Sequence, residues 1–82
     1  MMYPLLKLDD GTEIVHSDRK PDGRVKVYAE RPDEKMCFRN ATCWLPQYHW
    51  EDVTGFSSDE MNRIETEIRS MENLIFEYAE EI

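Results

Sequence analysis

Eighty-two residues leave room for one domain and no second. Eighteen acids against ten bases give a net charge of -8, while 40% apolar and 34% charged residues are too apolar and too mixed in sign for a disordered acidic tail. Direct binding to nucleic acid is disfavoured, because phosphates are held by Lys and Arg, and an anionic membrane surface is disfavoured for the same reason.

The opening Met1-Met2-Tyr3-Pro4-Leu5-Leu6-Lys7 lacks the basic and long apolar stretches of a signal peptide. No run approaches the roughly 18 apolar residues of a membrane span, so a cytoplasmic protein is expected. Asp9-Asp10-Gly11 reads as a three-residue hairpin loop, with Gly11 supplying the left-handed position. That loop sets Lys7 opposite Glu13 and Leu6 opposite Ile14. Pro21-Asp22-Gly23 forms a second loop of the same kind, which predicts strands over residues 13–18 and 24–31, with Asp18 opposite Lys26 and Glu13 opposite Arg31. Alternation then places Leu5, Val15, Val25, Val27 and Ala29 on one face, and Leu6, Leu8, Ile14, His16 and Tyr28 on the other. Residues 31–35 form a third turn and residues 36–45 a fourth strand, which Pro46 stops. Residues 50–54 read as a short fifth strand or a tight loop.

One helix is expected from residue 58 to the C-terminus. Ser57 suits the N-cap, Glu60 completes a capping box, and Phe56 and Met61 occupy hydrophobic-staple positions. Met61, Ile64, Ile68, Met71, Ile75, Tyr78 and Ile82 then recur at steps of three and four, as in an amphipathic helix laid on a sheet. A straight helix of that length spans roughly 37 Å, so it overhangs its sheet or frays. Arg63 and Arg69 lie four residues after Asp59 and Glu65 and are expected to pair with them. The charge is uneven: residues 1–56 carry ten acids and eight bases, residues 57–82 eight acids and two bases. Glutamates would face one another along a self-paired coiled coil, which is therefore disfavoured.

Sites of chemistry are sparse. Cys37 and Cys43 would lie roughly 20 Å apart along one strand, too far to bridge. His16 and His49 stand alone, with no metal-ligand spacing, and no phosphate-binding glycine loop occurs. Neither cysteine lies in a nucleophile context, and nothing indicates an apolar pocket that would raise a carboxyl pKa. No catalytic residue, metal or cofactor is expected, and the chain is read as a non-enzyme. The cluster Trp44-Leu45-Pro46-Gln47-Tyr48-His49-Trp50 has two readings. Trp44 and Trp50, with Phe38, fill a core short of large aliphatics, or the loop makes a protein contact with Tyr48 as its exposed residue.

With these segments in view, residues 6–14, 21–28 and Ala41-Thr42-Cys43-Trp44-Leu45-Pro46 resemble short acidic proteins of unassigned function from Gram-positive, often gut-dwelling bacteria. The resemblance spans nearly the whole chain and rests on turns and strand residues. It implies a bacterial accessory protein and transfers no site residue. The expected fold is α+β, a single domain over 1–82: an antiparallel meander of three to five strands (1–56) with one long C-terminal helix (57–82) packed on one face. The expected function is a small acidic protein-binding module, a monomer or weak homodimer, acting through Trp44, Tyr48 and Trp50 or through a sheet face carrying Tyr28 and His16. The alternative is an inhibitor of a DNA- or RNA-handling protein, with Glu65, Glu67 and Glu72 among the helix acids imitating phosphates.

Overall fold

The computed structural model describes residues 2–33 and 37–81. Strands β1 (Met2–Lys7), β2 (Glu13–Ser17), β3 (Val25–Asp33), β4 (Cys37–Leu45) and β5 (His49–Thr54) form one antiparallel sheet in chain order, followed by helices α1 (Ser58–Ser70) and α2 (Glu72–Glu80). The α+β meander is as expected, with five strands. The single long helix is not.

The first turn folds as its residues dictate. Leu8 N–H donates to the Thr12 carbonyl at 2.8 Å, Gly11 N–H to that of Leu8 at 3.1 Å, and Gly11 takes φ 93°. Lys7 then faces Glu13 and Leu6 faces Ile14, as predicted. The second loop also closes as predicted, with Lys20 N–H on the Arg24 carbonyl at 2.8 Å and Gly23 at φ 88°. Its register, however, slips by one residue. Glu13 pairs with Glu30 and His16 with Val27, where the sequence placed Glu13 against Arg31 and Asp18 against Lys26. The extra residue is absorbed at Ser17 and Asp18: Lys26 N–H donates to Ser17 Oγ at 3.0 Å instead of to a strand carbonyl, and that hydroxyl donates to the Asp18 carbonyl at 2.7 Å. A one-residue slip exchanges faces. Ile14 and His16 therefore join Val25, Val27 and Ala29 on one side, while Val15 and Tyr28 lie on the other, so His16 and Tyr28 do not share a face.

β3 runs two residues past its expected end, pairing Pro32 with Phe38 and Asp33 with Cys37. Glu34 and Lys35 of the expected third turn, and Met36 of the fourth strand, lie outside the described residues. The ambiguous segment after Pro46 is a strand, β5. Both outer strands are irregular: β1 carries an extra residue at Leu5, and β5 an extra residue opposite Ala41, with Asp52 at φ 54°.

The helix start matches its prediction. Glu60 N–H donates to Ser57 Oγ at 3.2 Å, and Ser57 N–H donates back to Glu60 Oε1 at 2.9 Å. The helix then breaks at Met71, whose φ −113°, ψ 7° leave the helical region and whose N–H bonds to the Ile68 carbonyl at 3.0 Å in a tightened turn. Ile75 N–H returns to the Met71 carbonyl at 2.9 Å, restarting the helix. The break bears on length: a straight rod of that size would overhang, whereas after Met71 helix α2 lies over β2 and β3. Its buried residues are Ile75 and Ala79, so Ala79 takes the place expected for Tyr78, which is 42% exposed; Ile82 lies outside the described residues.

The core lies between the helices and one sheet face. Ile14, Val25, Val27, Cys43 and Leu45 meet Ile64, Ile68 and Ile75, all at most 2% exposed. A cluster of ion pairs fixes α1 to the sheet: Arg31 binds Asp10 at 2.9 Å and also Glu60, while Arg39 reaches Glu60 at 3.2 Å. Arg69 pairs with Glu65 at 3.1 Å as expected, but Arg63 pairs with Asp9 and Asp10 rather than Asp59, because the first hairpin turn comes within its reach.

Candidate functional site

The register divides the aromatic cluster between the two sides of the sheet. Cys43 pairs with Trp50, so Trp50 faces the helices and packs against the core; Trp44 pairs with His49 and points to the side without helices. Trp50 Nε1 donates to Glu65 at 2.8 Å, and with Arg69 this holds the Glu65 carboxyl below the usual range. Tyr48, expected to be exposed, is half-buried: its hydroxyl donates to Glu72 at 2.7 Å and the Arg69 guanidinium lies 3.8 Å from its ring centre. Tyr48 has φ 58° at the end of the turn after Pro46, which carries its ring back toward α1 and α2. Burial, then the Glu72 carboxylate, raise its pKa well above the usual value of 10. Two of the predicted contact residues thus fasten the sheet to the helices. Nearby Cys43 is buried, and burial, with Glu65 behind it, pushes its thiol up to about 12.

The helix-free face carries Tyr28 and Trp44. Tyr28 lies between Val15 and Thr42, and Trp44 between Lys26 and His49. Both aromatics are half-buried, and both have their polar tips engaged: Tyr28 Oη donates to Glu30 at 3.2 Å, Trp44 Nε1 to Glu51 at 2.8 Å. Burial and Glu30 raise the Tyr28 pKa. The Arg24 guanidinium lies 4.4 Å and the Lys26 ammonium 5.9 Å from the Trp44 ring centre. Arg24 is also paired with Asp22 at 2.7 Å. Among the described lysines and arginines, Lys26 alone has no carboxylate within 4.0 Å. Sequence reading missed Arg24 and Lys26 as site residues. The available signal was a pair of cations just past the turn at residues 21–23, on a strand that meets Trp44 once the β3–β4 register is known.

Half of the eight helix acids are engaged. Glu60 and Glu80 are paired with arginines, and Glu65 and Glu72 with Trp50 and Tyr48; Glu67, Glu77 and Glu81 have no side-chain hydrogen-bond partner among the described residues. His16 lies under the helix side, with its ring between those of Tyr3 and Tyr78. Among the described residues, no three His, Cys, Asp or Glu side chains are grouped to hold a metal, and no helix is long and apolar enough to cross a membrane. Compared with known proteins, the chain matches no family model, no curated protein and no solved structure.

Proposed function

We propose that the chain is a small non-enzymatic protein-binding module of the bacterial accessory type, acting in the cytoplasm, and that it docks through the helix-free face of its sheet. The observation that supports this reading is the set of Trp44, Tyr28 and Lys26 on that face. The two rings are fixed by their own carboxylate neighbours, so a partner covering them orders little that is not already ordered. Lys26 has no carboxylate within 4.0 Å among the described residues. The surface suits a protein that lays an apolar group on Trp44 and Tyr28 and brings a carboxylate to Lys26.

Phosphate mimicry by the helices is the less favoured reading, since it needs free carboxylates and Glu65 and Glu72 are committed to Trp50 and Tyr48. Quantitative affinity capture from the native host separates the two. A partner lost with Trp44→Ala and with Lys26→Glu, but retained with Glu67→Gln and Glu77→Gln at moderate salt, supports the sheet-face module. The reverse pattern, with affinity falling steeply as salt rises, overturns it in favour of mimicry.

A further inference from the structure

Where β1, β2 and the end of α2 meet, His16 is 2% exposed yet only half engaged. Its Nδ1 lies 2.8 Å from the Ser17 carbonyl oxygen, which only accepts, so in the neutral ring Nδ1 carries the proton and Nε2 keeps its lone pair. No group among the described residues hydrogen-bonds Nε2. Among the described residues the sealed side-chain polar atom without a partner is Thr12 Oγ1, not Nε2, so Nε2 is open to solvent and available to a donor from outside. The ring borders an open hollow of about 540 Å³ shared with Tyr3, Pro4, Leu5, Tyr78 and Glu81, a size in the range of small-ligand sites.

Among the described residues, the groups that give this hollow a preference are negative or electron-rich. The Tyr3 and Tyr78 ring centres lie 5.9 and 6.4 Å from that of His16. Glu81 stands on the rim just past the C-terminal end of α2, where the helix dipole is negative, and Glu77 and Glu80 belong to the same last turn. Arg19, the cation that reaches this helix end, is paired with Glu80 and lies over Phe76. We infer that the hollow binds an organic ammonium group, whose N–H donates to His16 Nε2 while its charge meets Glu81 and the faces of the tyrosines. An anion is opposed by Glu81 and the helix end, and a purely apolar ligand leaves Nε2 without a donor. The site is on the opposite side of the sheet from Trp44 and Tyr28 and does not depend on their role.

The test is an NMR titration of the full chain with n-butylammonium, tetramethylammonium and Nα-acetyl-lysine methylamide, with sodium acetate as control, read at the rings of His16, Tyr3 and Tyr78. The ammonium ligands should give saturable shifts with dissociation constants on the order of millimolar. Only n-butylammonium and the lysine derivative donate N–H, so they should bind about threefold or more tighter than tetramethylammonium. Glu81→Gln and Tyr78→Ala, both at exposed positions, should each weaken binding about threefold without unfolding the chain. A lysine derivative that binds at least as tightly as n-butylammonium identifies a partner's side chain as the ligand; weaker binding identifies a free amine. Absence of saturation, equal shifts with sodium acetate, equal affinity for the two simple ammonium ions, or indifference to both substitutions overturns the inference.

Discussion

Tyr48 shows how one phenol sets a dependence on pH. Its pKa in the folded chain is raised, so its contribution to stability is complete below the ordinary value of 10 and is lost as the phenol ionises at higher pH. Tyr48→Phe should cost about 1 kcal/mol at neutral pH, the net worth of a hydrogen bond to a half-exposed carboxylate, and make the alkaline loss of stability shallower. Denaturant unfolding at pH 7 and pH 11 would check both parts. Cys43 offers a second test: with its thiol buried and pushed up to about 12, it should resist alkylation in native protein at pH 8 and react once denaturant is added, as read by peptide mapping.

At the scale of elements, the junction between β5 and α1 is the most constrained. Gly55 has φ 82°, and an added Cβ would come 2.9 Å from Arg39 Cγ; Gly11 has φ 93° but open space around it. Gly55→Ala should therefore destabilise more than Gly11→Ala, which bears only the backbone cost of about 1 kcal/mol. The adjoining cap has an acid dependence. The Ser57 N–H, against some burial, and then Arg31 hold the Glu60 carboxyl below its usual range. For Asp10, burial pulls upward, and the hydrogen bonds from Thr12 with the Arg31 charge together outweigh it. Both contributions are present above the ordinary carboxyl values of 4.5 and 3.8 and are lost as pH falls through the lower folded values. Glu60→Gln should flatten that acid limb and cost about 1 to 3 kcal/mol, measured by urea unfolding from pH 7 to pH 3.

These elements also mark what the sequence made legible. Asp-Asp-Gly and Pro-Asp-Gly fix local loops through the backbone freedom of glycine, and both loops formed. The register beyond the second loop depended on a serine hydroxyl standing in for a carbonyl, which no turn pattern encodes. The helix start was written in Ser57 and Glu60; its interruption at Met71 involves neither Gly nor Pro, the residues by which a sequence marks a helix break. Tyr48 and Trp50 stood out as unusual residues, but alternation alone did not tell which side of the sheet each would face.

For the molecule as a whole, stability rests on one layer of side chains between sheet and helices. Ile68 is fully buried at its centre, and Ile68→Ala should cost about 2 to 5 kcal/mol, a large share of the roughly 5 to 15 kcal/mol that holds a domain folded. Circular dichroism during urea unfolding should show the midpoint fall sharply. Trp44→Ala, on the helix-free face, should move it far less. The comparison separates residues that hold the fold from those available to a partner.

The extra residues in β1 and β5 bear on the exposed edges of the sheet. A flat outer strand invites another to add to it, and that addition, repeated, grows a fibril. Here Leu5 and Pro4 spoil the ladder on one flank, and the left-handed turn of the backbone at Asp52 spoils it on the other. Both irregularities work against the addition of a further strand along the hydrogen-bonding direction.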